Sequence, residues 1–313
     1  MGRARGQNAI MGLAFETTYG TPPVSGYTKL PFVSSQLGAV QPLIESDLLG
    51  QGRVPFDPIY DIVTNDGDVA VPLDARAIGT WMKMLFGSPV TTAVSGGYSH
   101  VFTSGMPTLP SASIEIGMPD RPAYSTHYGV CANTLQVNMQ RSGLTTATIG
   151  LIGKGETVPS LTSNAGSLAS PGAIDRFAAA RGAVVIDEQL AGEVTQANFS
   201  FSNGLDKDET IRPDSEINGI DAGMPSASLS LTTKFADLVL YNKATSGAPA
   251  RITLQWSLGN QGISITMPRL FLPRVKRPVT GPGGIMAEFN AIASSAGGPL
   301  VEIVLSNDVA SYA

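Results

Sequence analysis

The stretch Gly67–Pro89 joins two structural periods without a break. Val69, Val71 and Leu73 alternate with other residues, the pattern of a half-buried strand. From Asp74 onward, Ala75, Ile78, Trp81, Met82 and Leu85 recur at three- and four-residue steps, which puts them on one face of a short helix. Asp74 suits the N-cap of that helix and Gly87 its stop. The same plan returns at Ser226–Pro249, where Leu229 and Leu231 alternate and Phe235, Leu238, Val239 and Tyr241 fall on a helical face ahead of Gly247. An offset of 160 residues, Gly87 to Gly247, also carries Val69 onto Leu229, Val71 onto Leu231, Ile78 onto Leu238, Trp81 onto Tyr241, Lys83 onto Lys243 and Pro89 onto Pro249 without a gap. The chain therefore reads as an internal duplication. Ile78, Trp81, Leu85, Leu238 and Tyr241 are the expected helix-packing positions.

A chain of 313 residues has room for two such units, each with its own core. The expected division is an N-terminal arm (1–27), a first domain (28–156), a linker (157–182) and a second domain (183–313). Charged residues are only 14% of the chain, against about 25% in an ordinary soluble protein. With 35 Gly and 22 Pro, the pattern is of strands joined by turns. Ser111–Met118 and Arg121–Tyr128 flank the turn pair Pro119-Asp120, and alternating runs follow at Leu135–Met139 and Ala147–Leu151. The expected fold is mainly β: two tandem β-sandwich or partial-barrel domains, each with one flanking helix and a long loop. The helices are expected at Asp74–Phe86 and Lys234–Thr245, apolar toward a sheet and polar toward solvent.

The long loops differ. Gly38–Asn65 is broken by Gly and Pro, yet it is dense in large apolar residues with no repeating period. Such a loop needs a partner surface, and Leu43, Ile44, Leu48, Leu49, Arg53, Phe56, Ile59 and Ile62 are the expected contacts. Gly204–Pro225 takes the same place in the second half with more charge, from Asp206 to Glu216. Met1–Tyr27 shows little periodicity and is expected to be an extended arm ordered by a partner.

The chemistry of sites is nearly absent. Two histidines, His100 and His127, and one cysteine, Cys131, fall short of a zinc set and allow no internal disulfide. There is no nucleophile elbow, phosphate-binding loop or metalloprotease helix, and Asn65-Asp66-Gly67-Asp68 lacks the alternation and distal Glu of a calcium loop. No catalytic group, cofactor or metal is expected. A net charge of −5 gives no grip on nucleic-acid phosphates, and no apolar run approaches a membrane span. A secreted or surface β-repeat binding module is the competing reading; it predicts a signal peptide and polar loops.

A set of local motifs adds to this. Glu16-Thr-Thr-Tyr-Gly-Thr-Pro-Pro, Asp47-Leu-Leu-Gly-Gln-Gly-Arg, Asp66-Gly-Asp-Val-Ala-Val-Pro-Leu-Asp-Ala-Arg-Ala, Tyr98-Ser-His-Val-Phe, Pro110-Ser-Ala-Ser-Ile-Glu-Ile-Gly and Gln140-Arg-Ser-Gly-Leu occur in order. Together they resemble the tail tube (major tail) proteins of long-tailed bacteriophages over Glu16–Glu156. The resemblance implies rings that stack into a tube through which DNA leaves the virion, with tape-measure, tail-terminator and distal tail proteins as partners. It places the protein in the virion tail, and in the host cytoplasm during assembly. With two tube units per chain, the expected ring is a trimer with pseudo-sixfold symmetry; a hexamer of whole chains is the alternative.

Overall fold

The computed structural model describes residues 3–49, 52–235, 238–278, 281 and 284–312. The fold is mainly β and sandwich-like, with 47% strand and 8% helix, large antiparallel sheets and no closed barrel. Its main sheet starts at an edge formed by Ser34–Ser35 and Gly38–Val40, which pair with Thr64–Pro72. It continues through Thr146–Gly153, the C-terminal part of Tyr124–Gln140, Val194–Ser202, Ser226–Lys234 and Met286–Ala293, and ends on the last residues of Gln261–Phe271.

Two further groups of strands complete the fold. Ile10–Phe15 and Ala112–Gly117 pair with the N-terminal part of Tyr124–Gln140. Gly182–Ile186, Ala250–Leu258, Gln261–Phe271, Glu302–Asn307, Gly97–Thr103 and Val90–Val94 form the other group in that order. The alternation read from sequence is what buries one side: Leu135, Val137, Ile149, Phe199, Leu229 and Leu231 all lie in one core that also holds Met11 and Leu305. The halves interlock within it. The final strand of the chain pairs with Gly97–Thr103 of the first half.

Tyr124–Gln140 is a single strand of 17 residues, where the sequence pattern gave a hairpin arm to Tyr128 and a separate run from Leu135. It changes partners at Gly129, pairing through Val130 with Ala112 and from Cys131 with Ile152. Gly129 has φ +61°, and a Cβ there would come within 2.7 Å of Lys154, so both the backbone and the space call for glycine. In the second half, Gln261–Phe271 likewise bridges Ala250–Leu258 and Met286–Ala293.

Two connecting segments carry more of the chain's own contacts than their sequence suggests. Within the expected N-terminal arm, Ile10–Phe15 pairs along its full length with Ala112–Gly117 and buries Met11 and Leu13, so this strand takes its order from the chain itself. Glu16 ties that strand down: its carboxylate accepts hydrogen bonds from Ser111 Oγ, Ser113 Oγ and the N–H groups of Gly20 and Gly129. The uncharged stretch within 157–182 does not run free between the halves. The buried Glu115 accepts from Ser163 Oγ and from the N–H groups of Asn164 and Ala165, and Phe177 is wholly buried.

The helices begin later than the periodicity placed them. Helix α1 spans Ile78–Phe86 and helix α2 spans Val239–Ser246; residues 236 and 237 of the expected second helix lie outside the described residues. Asp74 still governs the entry to α1, accepting from the N–H groups of Arg76, Ala77 and Ile78. Gly87 and Gly247 end the helices, each donating its N–H to the carbonyl four residues earlier. The single apolar face expected of α1 is corrected: Ile78, Gly79, Trp81, Met82, Met84, Leu85 and Phe86 are all buried. Even Lys83 is half-buried, its ammonium 4.2 Å from the Phe15 ring centroid, and that burial lowers its pKa.

Candidate functional site

The long loop of the first half is a hairpin. Gly38–Val40 pairs with Thr64–Asn65–Asp66 at its base, and Leu43–Ile44 pairs with Ile59–Tyr60 further out. Asp61 N–H donates to the Pro42 carbonyl, while Gln41 Nε2 donates to the Asp61 carbonyl. The base is tied to the body by Ala39 N–H donating to Glu156 and Val63 N–H donating to the Ser215 carbonyl.

Every residue singled out on this loop is exposed: Leu43, Ile44, Leu48, Leu49, Arg53, Phe56, Ile59 and Ile62. Val40, Val54 and Tyr60 join them, with Leu49 at 93% exposure and Val54 at 80%. This hairpin is therefore a dense run of exposed apolar side chains.

The second loop lies differently. Its short strands Asp206–Asp208 and Gly219–Asp221 pair, and Arg212 engages Asp214 and Asn218. It closes onto the first half: Lys207 pairs with Asp66, Glu216 accepts from the Tyr128 hydroxyl, and Asn203 Nδ2 donates to the Leu85 and Ala132 carbonyls. Lys207 and Glu216 thus meet the chain's own first half, while Arg212, Asp214 and Asp208 are engaged within the loop.

The helix-packing positions divide. Ile78, Trp81 and Leu85 are fully buried, whereas Leu238 is 48% exposed and Tyr241 is half-buried with the Arg277 guanidinium 4.4 Å from its ring centroid. The offset of 160 residues matched the positions but not their surroundings.

The outward face of the main sheet is made of hydroxyls and amides. In register across it lie Thr148, Gln136, Ser200 and Ser228, and beside them Asn138, Asn198, Ser230 and Asn290. Charges on this face are few: Asp66, already paired with Lys207, Asp68, Glu288 and, at its far end, Lys234. The surface has hydrogen-bonding capacity and little field for a polyanion.

The titratable groups that could do chemistry serve the fold. His100 is buried, hydrogen-bonded through Nδ1 to the Thr91 hydroxyl and through Nε2 to the Val309 carbonyl. His127 Nδ1 faces Asn65 Oδ1 at 3.1 Å; burial lowers its pKa, opposed by the Glu156 carboxylate 3.8 Å away. Burial also pushes the Cys131 thiol up to about 12, well away from a nucleophile's range. Among the described residues no three His, Cys, Asp or Glu side chains group as a metal site.

What the sequence reading missed is a clasp at the C-terminus. Tyr312 donates its hydroxyl hydrogen to the Arg76 carbonyl, Asn307 Nδ2 donates to the Ala75 carbonyl and to Tyr312, and Arg76 grips Asp308 with two nitrogens. Gly79 leaves the space that the Tyr312 ring fills. The signal was present in the Asp-Ala-Arg-Ala motif at 74–77, though nothing in sequence pointed to its partner more than two hundred residues away.

Comparison with protein families decides the class. The family model described as phage tail tube protein matches residues 6–293. The chain belongs to the phage tail tube proteins. The match extends well past the motifs of the first half, so the second half is tail tube sequence too. A comparison with curated proteins gave no match. As a tail tube protein, this chain is a structural component of the virion tail, and its family is a structural one, not a known enzyme family. No helix among the described residues is long and apolar enough to cross a membrane.

Proposed function

We propose that this tail tube protein closes into rings of three chains with pseudo-sixfold symmetry, which stack into the conduit for DNA ejection. The observation that carries the ring is the junction between the halves. Thr134–Gln140 of the first half pairs strand to strand with Gln196–Ser202 of the second. Gln261–Phe271 holds the same place in the second half as Tyr124–Gln140 in the first, and Ser34–Val40 the same place as Val194–Ser202. Repeating the internal junction between chains joins the 271–277 end of one copy to the Ser34–Val40 edge of the next. Three copies then supply six units and close the sheet.

In this reading the hydroxyl and amide face of the sheet lines the lumen, and DNA passes without being held. The exposed hairpin between Leu43 and Ile62 reaches a copy in the adjacent ring. Tape-measure, tail-terminator and distal tail proteins meet the tube inside and at its ends, and assembly takes place in the host cytoplasm before the tail becomes part of the virion. Cryo-electron microscopy of the assembled protein tests this: three chains per ring with alternating, non-identical interfaces is the expected result. Six chains per ring, with the second half hanging outside, would overturn it.

A further inference from the structure

The hairpin has a matching surface at the opposite end of the molecule. The pairing registers give the main sheet two ends. At one end lie Asp66, Ser202 and Ser226, and the hairpin springs from there through Gly38–Val40. At the other lie Val194, Thr233 and Lys234. Beside that second end is an open cleft of about 220 Å³, walled by Ile186, Leu190, Val194, Phe235, Tyr241 and Phe289. It lies beside α2, which buries only Ala244, and Leu190 on its wall is 71% exposed.

Charge matches as well as polarity. The hairpin carries Glu45, Asp47, Asp57 and Asp61 against the single cation Arg53. The cleft is rimmed by Lys234 and by Arg277, whose guanidinium lies 4.9 Å from the Phe235 ring centroid and 4.4 Å from that of Tyr241. The run 269–277 adds Arg269, Arg274 and Lys276 and no acid. Of the carboxylates at the cleft, Asp187 is paired with Lys243, which leaves Glu193 as the counter-charge.

We propose that the apolar, acidic hairpin of one copy docks in the basic-rimmed cleft beside α2 of a copy in the next ring. This deepens the stacked-ring reading and rests on it. Because donor and receiver sit at opposite ends of one sheet, the contact is head-to-tail and does not close on itself, which is the geometry that propagates a filament. The hairpin supplies large side chains such as Phe56 for the cleft, and the acids flanking them meet Lys234 and Arg277.

Disulfide trapping in assembled tubes tests the pairing. The double variant Phe56→Cys with Leu190→Cys changes two exposed positions, and the native Cys131 is buried. Oxidation is expected to produce a ladder of linked chains on a non-reducing gel, absent from either single variant. Normal tubes without a ladder would overturn the cleft as receiver while leaving the ring reading intact. In parallel, Arg277→Glu is expected to raise the protein concentration needed for tube growth at least tenfold, and Asp57→Lys in the same chain to recover most of that loss. No recovery counts against the charge match. A chain with residues 45–58 replaced by a short Gly-Ser turn that still forms tubes like the parent would remove both this pairing and the hairpin's role in stacking.

Discussion

Helices α1 and α2 stand at matching places in the duplicated sequence and live in different surroundings. α1 is covered by both ends of its own chain: Phe15 from the N-terminal strand lies against Lys83, and Tyr312 from the C-terminus rests on Gly79. Phe201 from the second half completes the cover, its ring 4.8 Å from that of Phe86. Over α2 no described segment plays those parts, so Leu238 and Val239 remain about half exposed and Arg277 alone lies across Tyr241. A helical period in the sequence fixes which residues share a face. Whether the face is buried depends on what other segments bring to it, and in the second half no described segment brings as much.

The largest test of this contrast is truncation of the matched aromatics. Trp81→Ala empties a fully buried site and is expected to cost about 3–5 kcal/mol in urea unfolding of the unassembled chain. Tyr241→Ala is expected to cost about 1 kcal/mol or less in the same experiment, since its ring is already half in solvent. Equal losses at the two positions would break the comparison. Next in size is the clasp: Tyr312→Ala removes an aromatic contact to His100, at 4.7 Å between ring centroids, and two hydrogen bonds at the entry to α1. About 2–3 kcal/mol is expected, read as a lower midpoint in thermal or urea melts. A midpoint unchanged from the parent would show that α1 does not depend on the C-terminus.

Much of this was legible in the sequence, and the boundary is physical. Period-two alternation located the long strands because one side of each faces the core, and Asp74, Gly87 and Gly247 marked turns by their local chemistry. The apolar hairpin was legible because nothing in its own pattern could bury it. Three features were not. Pairing partners hundreds of residues apart, such as Glu302–Asn307 with Gly97–Thr103, leave no trace in local periodicity. The N-terminal strand Ile10–Phe15 is too short and its alternation too weak, interrupted by Gly12, to stand out from a flexible end. The roles of Glu16 and Glu115 depend on donors from distant segments, backbone N–H groups and serines, that no local pattern announces.

A smaller test uses pH. His127 belongs to the first half, and a pH series between 5 and 7 reads the consequence of its burial. Burial holds the folded pKa of His127 below its ordinary value, with Glu156 opposing. A depressed histidine pKa means that the unfolded chain binds the proton more readily. Its contribution to stability is therefore fully present above the unfolded pKa of about 6.5 and is lost as pH falls below it. Unfolding midpoints of the parent are expected to drop from pH 7 toward pH 5, and those of His127→Gln to drop less. Parallel pH profiles would remove His127 as the cause.

The smallest expected effect compares the two ion pairs at the helices. Arg76 beside α1 is engaged by Asp308 and Asp175 and by the Ala173 carbonyl, with only 15% of its side chain exposed. On α2, Lys243 pairs with Asp187, and the two side chains are 24% and 37% exposed. Asp187 has φ 47° in the turn that leads to Gln189–Leu190, and its carboxylate also accepts the Arg251 N–H. Burial works against its ionisation, but Lys243 and that N–H together hold its pKa below the usual value. Asp187→Asn keeps a residue that tolerates the left-handed backbone and can still accept from Arg251, so it removes the charge alone. A loss of about 0.5 kcal/mol is expected at low salt, shrinking as ionic strength rises, because a pair this exposed is screened. Arg76→Lys keeps the charge and gives up the two-nitrogen grip on Asp308, and is expected to cost more than Asp187→Asn at every salt concentration. The reverse order would mean that the second helix is held as firmly as the first, and the contrast between the halves would have to be sought in their loops alone.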